Sequence, residues 1–123
     1  MIEGWVPKGL YRWTEKYTAP STSDVTREGP IVKRGQIVVL HQLSVVEYTT
    51  ADKSLLVGFK DAGGNAHYVS HDKGTSKYEA KMRGQMTLTE NEKPIGTVLS
   101  PTANDVLYFS AFGVVYELPE QGA

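Results

Sequence analysis

Residues 104–118 read NDVLYFSAFGVVYEL. Two runs rich in β-branched and aromatic residues, 106–109 and 114–118, flank a Ser110-Ala111-Phe112-Gly113 step. Side chains of this kind suit a pleated, half-buried sheet. The stretch therefore predicts a buried hairpin turning at that step, with the earlier strands packed against it. It holds no histidine, no cysteine and only two carboxylates, Asp105 and Glu117, so it reads as core and not as a site.

Working back toward the N-terminus, the chain continues as strands separated by polar turns. KPIGTVL (93–99) is a short strand with Pro94 near its start, and YEAKMRGQMTL (78–88) places Tyr78, Ala80, Met82, Met86 and Leu88 on one face of a strand interrupted at Gly84. A short helix over residues 79–83 competes with that reading. KSLLVGFK (53–60) sets Leu55, Val57 and Phe59 on one face at period two, the DAGGN turn (61–65) tolerates positive φ, and AHYVSH (66–71) returns, which predicts a β-hairpin. QIVVLHQLSVVEY (36–48) is long for one strand, and a bend or bulge is expected within it. Period two places Val39, Leu43, Leu55, Val57, Phe59, Tyr68, Met86, Val98, Leu107, Phe109, Val114 and Tyr116 inside.

Residues 1–30 differ in texture. Trp5, Tyr11, Trp13 and Tyr17 lie among Gly4, Pro7 and Gly9, and TAPSTSDVTREGP (18–30) has the composition of a solvated linker. The expected organisation is an extended N-terminal arm and linker over 1–30, followed by a β-sandwich domain over 31–123. The aromatic residues of the arm need cover, on their own domain or on a neighbouring subunit, and the assembly contacts assigned to it are Trp5, Tyr11, Trp13 and Tyr17. About eight strands, no βαβ alternation and Gly or Pro at most junctions predict an all-β, antiparallel, jelly-roll-like sandwich.

Composition narrows the function. The 123 residues fit one domain, large enough to build a core without metal or disulfide staples. Thirteen Lys and Arg against fourteen Asp and Glu leave a net charge of −1, so no global field draws the chain to nucleic acid or an anionic membrane, and neither is an expected partner. There is no cysteine for a disulfide or thiolate site. The start MIEGWVPKGLYRW lacks a basic run followed by an apolar one, and no stretch approaches ~18 consecutive apolar residues, so neither a signal peptide nor a membrane span is expected.

Catalytic patterns are missing as well. Nucleophile elbow, phosphate loop and dinucleotide fingerprint do not occur, and Glu90 and Glu92 sit in a polar turn with nothing apolar around them to raise a pKa. His67 and His71 on one extended strand would share a face but stand about 13 Å apart, too far for one zinc ion. His41, between Leu40 and Gln42, reads as a partly buried, hydrogen-bonded histidine. No catalytic, metal-binding or cofactor-binding residue is assigned, and no cofactor is expected. Lys73, Lys77, Lys81 and Arg83 around Tyr78 could touch phosphates, but dispersed cations of this kind are more often a solvated face.

RGQIVVL (34–40), DKSLLVGF (52–59), DAGGN (61–65) and ANDVLYFSAFGVVYEL (103–118) together resemble the small all-β structural proteins of tailed-phage virions, including capsid decoration proteins and adhesin-like or fibre-tip domains. The resemblance is one of style, over about two-thirds of the chain, and carries no motif residue by residue. It implies a non-enzymatic virion structural protein, a capsid decoration or tail-associated component made in the host cytoplasm. Its implied partners are itself, as a homo-oligomer with a trimer among the candidates, and neighbouring virion proteins. The alternative is a carbohydrate-binding or receptor-binding sandwich module using exposed aromatics; a cupin-type enzyme accounts only for the sandwich.

Overall fold

The computed structural model describes residues 4–72 and 79–118, and among these every regular element is a strand. The strands are β1 (Val6–Thr18), β2 (Val25–Glu28), β3 (Gln36–Glu47), β4 (Ser54–Lys60), β5 (Ala66–Asp72), β6 (Glu79–Lys81), β7 (Met86–Leu88), β8 (Lys93–Leu99) and β9 (Val106–Glu117). One sheet runs β1-β9-β3-β6, with β7 also pairing β3, and the other runs β2-β8-β4-β5, all antiparallel. Counting β6 and β7 as one interrupted strand, this is the order of an eight-stranded jelly roll, as the turn spacing predicts. The interruption falls at residues 82–85, around Gly84, and the helix considered there does not form. The β4–β5 hairpin also forms where expected: Asp61 Oδ1 accepts the N–H groups of Gly63 and Asn65, and Gly64 takes φ +87°.

The hairpin expected over 104–118 is instead one straight strand. β9 lies between β1 and β3, and at the expected turn Phe112 and Gly113 stay in register with Arg12 and Tyr11 on one side and Gln42 and Leu40 on the other. Gly113 is there for close approach, because a Cβ on it would come 2.2 Å from the Val39 carbonyl oxygen. Alternation then runs unbroken, with Leu107, Phe109, Ala111 and Val115 toward the other sheet and Tyr108, Ser110, Phe112, Val114 and Tyr116 away from it. Phe109 is the centre of the core. Its ring stacks on Trp13 at 5.9 Å and presses on Gly96 of β8, where an added Cβ would stand 2.6 Å from Phe109 Cδ1.

Residues 4–30 correct the expectation of an arm and linker. β1 pairs with β9 along its whole length, and β2 pairs with β8, so this segment supplies an edge strand to each sheet. Tyr11 and Trp13 are each only 7% exposed and belong to the core cluster with Leu43, Val45 and Phe109. Each aromatic ring removes ~150–250 Å² from water, which explains why the segment is held in place. The Tyr11 hydroxyl donates to the Pro30 carbonyl, and Arg27 pairs with Glu15 while lying 4.6 Å over the Tyr17 ring.

Of the residues expected inside, Leu43, Leu55, Val57, Val98, Leu107 and Phe109 are buried, and Phe59 and Met86 pack against the core from its margin. Val39, Val114 and Tyr116 are half-buried on the outward face of the first sheet, and Tyr68 is 42% exposed. A bulge explains Val39. The register between β3 and β9 slips at His41, so the inward set changes from Leu43 and Val45 to Leu40 and Val38.

Candidate functional site

The outward face of the β1-β9-β3 sheet collects apolar side chains: Leu10 is exposed, Val39, Phe112, Val114 and Tyr116 are half-buried, and Ile37 is buried. In one row the register places Leu10, Val114 and Val39 side by side, in the next Arg12, Phe112 and Gln42, and beyond Val39 come Tyr116 and Ile37. Leu10 is 81% exposed. At the far end, Val46 and Tyr108 are adjacent, and the Tyr108 ring meets Tyr48 edge-on at 5.6 Å. A small polar island separates the two ends: the Ser44 and Ser110 hydroxyls are 2.8 Å apart, and Gln42 Nε2 donates to Ser110. Lys16, Arg12 and Lys8 border this face along β1.

The outward face of the β2-β8-β4-β5 sheet is closed by its own polar groups. Thr97 Oγ1 lies 2.8 Å from Thr26 Oγ1 and 2.8 Å from the Tyr68 hydroxyl. Glu28 takes both Lys60 (2.6 Å) and Lys93 (2.7 Å). Those hydrogen bonds and cations hold its carboxyl below the usual glutamate range. Ile95, between them on β8, is only 1% exposed.

The four aromatic residues assigned to assembly are not brought together on a surface. Tyr11 and Trp13 point into the core, where burial pushes the Tyr11 hydroxyl well above the usual tyrosine range. Tyr17 is half-buried under Arg27, and Trp5 is half-buried just ahead of β1. The signal for this was present, since aromatic Tyr11, Trp13 and Tyr17 alternate with polar Arg12, Thr14 and Lys16, which is the pattern of a half-buried strand.

The histidines stand apart. His41 is exposed at the β3 bulge, not partly buried, with Nδ1 3.1 Å from Gln85 Nε2. His67 stacks on Phe59 at 4.9 Å and reaches Asp61 at 2.8 Å. A register shift between them places His67 beside Phe59 and His71 beside Leu56, so they do not share a face. No three His, Asp or Glu side chains converge on one point among the described residues. Of the basic group, Lys81 and Arg83 are exposed, whereas Lys73, Lys77 and Tyr78 lie outside the described residues.

Sequence reading missed one constellation entirely. Glu47, the last residue of β3, and Asp105, just before β9, are each 1% exposed and lie against each other. Glu47 Oε1 accepts the backbone N–H groups of Thr49 (2.9 Å) and Thr50 (3.2 Å). Asp105 accepts the Thr50 hydroxyl on Oδ1 (2.7 Å) and the Thr102 N–H on Oδ2 (2.8 Å). Burial, reinforced by the neighbouring Asp105, pushes the Glu47 carboxyl up to about 7. Burial also opposes the charge on Asp105, but hydrogen bonds from Thr50, Glu47 and Thr102 and the charge of Lys53 hold it below the usual range. No local sequence pattern joins these two positions.

No protein-family model matches the sequence, and no curated protein matches it. Among solved structures, a chain of the acidic stable capsid of Helicobacter pylori bacteriophage KHP30 is similar over 94% of this chain and 93% of its own, at TM-score 0.59 and 18% identity. The coat protein of Tobacco streak virus covers 96% of this chain and 92% of its own at TM-score 0.49 and 12% identity. The galactotriose complex of TmCBM61 covers 94% and 89% at TM-score 0.41 and 12% identity. The phage capsid chain shows a shared fold, an all-β jelly-roll sandwich, over nearly the full length of both chains.

Proposed function

We propose that this protein is a non-enzymatic structural protein of a virus particle, a capsid decoration or tail-associated component, built by association of copies through the outward face of the β1-β9-β3 sheet. The observation that carries this is that face itself: Leu10, Val39, Phe112, Val114 and Tyr116 form an apolar strip on a chain whose other sheet closes its outer surface with its own polar groups. Monomers seldom leave contiguous apolar patches open. A second copy suits this strip because a two-fold contact sets the same patch against itself, and a net charge of −1 gives little repulsion between copies. Trp5 immediately precedes β1, whose Pro7 pairs with Tyr116, and we assign it to the same contact. The jelly-roll shape shared with a phage capsid chain supports the virion setting. A carbohydrate-binding or receptor-binding module is the second reading; Trp13, being buried, does not serve it as a stacking platform.

Sedimentation equilibrium tests the reading. The wild-type chain is expected as an oligomer, and Leu10→Lys with Val114→Lys as a monomer with unchanged circular dichroism. A wild-type monomer at high protein concentration, or a double variant that associates like the wild type, overturns it.

A further inference from the structure

We propose that Glu47 and Asp105 share one proton and form a pH-operated clasp between the loop after β3 and the loop before β9, closed at mildly acid pH and released as the pH rises. The geometry requires a donor where none is otherwise present. Three of the four carboxylate oxygens accept a hydrogen bond from a backbone N–H or a hydroxyl, and the fourth, Glu47 Oε2, is buried without one. A buried ionised oxygen lacking a donor beside a second carboxylate is costly in a low-dielectric site. Protonation of Glu47 removes that cost, because Oε2–H then donates to Asp105, which remains the anion.

A divalent cation does not fit the same space. Calcium takes 6–8 oxygen ligands, and here only one carboxylate oxygen is not already engaged by a donor. The surrounding charges also suit one anion and not two. Lys53, on the loop after β3, donates to the Ser100 carbonyl and acts on Asp105. Among the described residues, the other titratable groups on adjoining elements include Tyr17, in the same row as Leu107 and Glu47 with Arg27 over its ring, Lys16 beside Tyr108, Asp24, which accepts the Ser100 N–H, the exposed Asp52 and Glu79, and the phenols of Tyr48 and Tyr108.

The clasp joins three segments. Tyr48 N–H donates to Val106, Val106 N–H to the Thr49 hydroxyl, Ala19 N–H to Asp105 and Asn104 N–H to Ala19, so the loops after β1, β3 and β8 meet on this pair. Loss of the shared proton sets two buried negative charges against each other and loosens residues 48–50 from 102–105. The sign follows from the direction of the Glu47 shift. The folded chain keeps its proton up to about 7 while the unfolded chain releases it near 4.5, so stability falls as the pH rises through that window and is level above it.

The experiment is thermal unfolding of the full chain from mildly acid to alkaline pH, with ¹³C NMR titration of the side-chain carboxyls. The wild type is expected to lose melting temperature across the window, with the Glu47 midpoint near neutrality. Glu47→Gln, whose amide still donates to Asp105, is expected to abolish that loss. In Asp105→Asn, which keeps an oxygen to accept from the Thr50 hydroxyl, the Glu47 midpoint should drop toward the ordinary glutamate range. A wild-type Glu47 midpoint already in that range, or a pH-dependent loss that persists in Glu47→Gln, overturns the clasp. So does a calcium-induced rise in melting temperature at alkaline pH that Glu47→Gln removes, since that assigns the site to a cation.

Discussion

The two outward faces of the sandwich differ in strand length and in chemistry: β1, β3 and β9 run for 12–13 residues, whereas β2, β4, β5 and β8 run for 4–7. On the β2-β8-β4-β5 sheet, Thr26, Thr97 and Tyr68 bond one another and Glu28 is shared by two lysines, so the face satisfies itself. On the β1-β9-β3 sheet, Leu10, Val39, Phe112, Val114 and Tyr116 stand together with only the Gln42–Ser44–Ser110 island between them and the Tyr48–Tyr108 pair. Alternation along a strand sorts residues between two sides, but it does not require the outer side to be polar. Where both sides are apolar, the second calls for a second packing partner. β9, apolar on both sides, is the strand that links the core to that outer face.

Removal of β1 has the largest expected effect, because the apolar face loses an edge with it. Deleting residues 1–17 takes Tyr11 and Trp13 out of the core. Burial losses of ~3–5 kcal/mol for each large aromatic rival a typical total stability of ~5–15 kcal/mol. The truncated chain is expected to show no cooperative thermal transition. A melting temperature close to that of the full chain would mean that β1 is dispensable and that the face is a different one.

Next in size is Phe109→Ala. The ring touches both sheets through Trp13 and Gly96, and its loss should cost roughly 3–5 kcal/mol in urea unfolding. A change below ~1 kcal/mol, the level typical of surface positions, would separate the two sheets energetically.

A smaller effect distinguishes the faces themselves. Lysine at Leu10 and Val114 should weaken self-association at least ~10-fold, about 1.4 kcal/mol, and lysine at Thr26 on the other sheet should leave it unchanged. Equal effects from both faces, read by sedimentation, would show that the apolar face is not the contact.

The smallest expected effect is Glu28→Gln. Partly exposed ion pairs contribute about 0.2–1 kcal/mol each, so the variant should lose that order of stability, less at high salt. Because the Glu28 carboxyl is held below its usual range, its contribution is present above the unfolded carboxylate range and is lost as the pH falls through the depressed folded value. The wild type and variant should therefore converge in acid, the opposite pH direction to Glu47. A gap that widens in acid would refute the ion-pair account.

Much of the fold was legible because period two is a local property. Leu55 and Val57, the DAGGN turn and the break at Gly84 follow from residues within one strand or one turn. The errors have two physical sources. A bulge reverses which residues point inward, so Val39 and Tyr68, placed inside by extending the alternation through His41 and Val69, lie on the outside. At residues 110–113 the opposite error occurred: a turn was expected where the strand runs straight, and Val114 and Tyr116 were assigned to the wrong side. The candidate site was less legible still. The outer face depends on three strands brought side by side, and Glu47 meets Asp105 only because β3 and β9 are neighbours.

By itself, the sequence determined an all-β chain with no cysteine, the approximate number of strands, the one tight hairpin and most of the residues able to fill a core. The tertiary structure alone decided that β1 is an edge strand and not an arm, which side of β9 is inside, and that two carboxylates distant in sequence are buried together. Side-chain alternation specifies two faces for a strand but neither their phase nor their neighbours. Those are set by bulges, by Gly96 and Gly113 admitting close contacts, and by the packing of one sheet on the other.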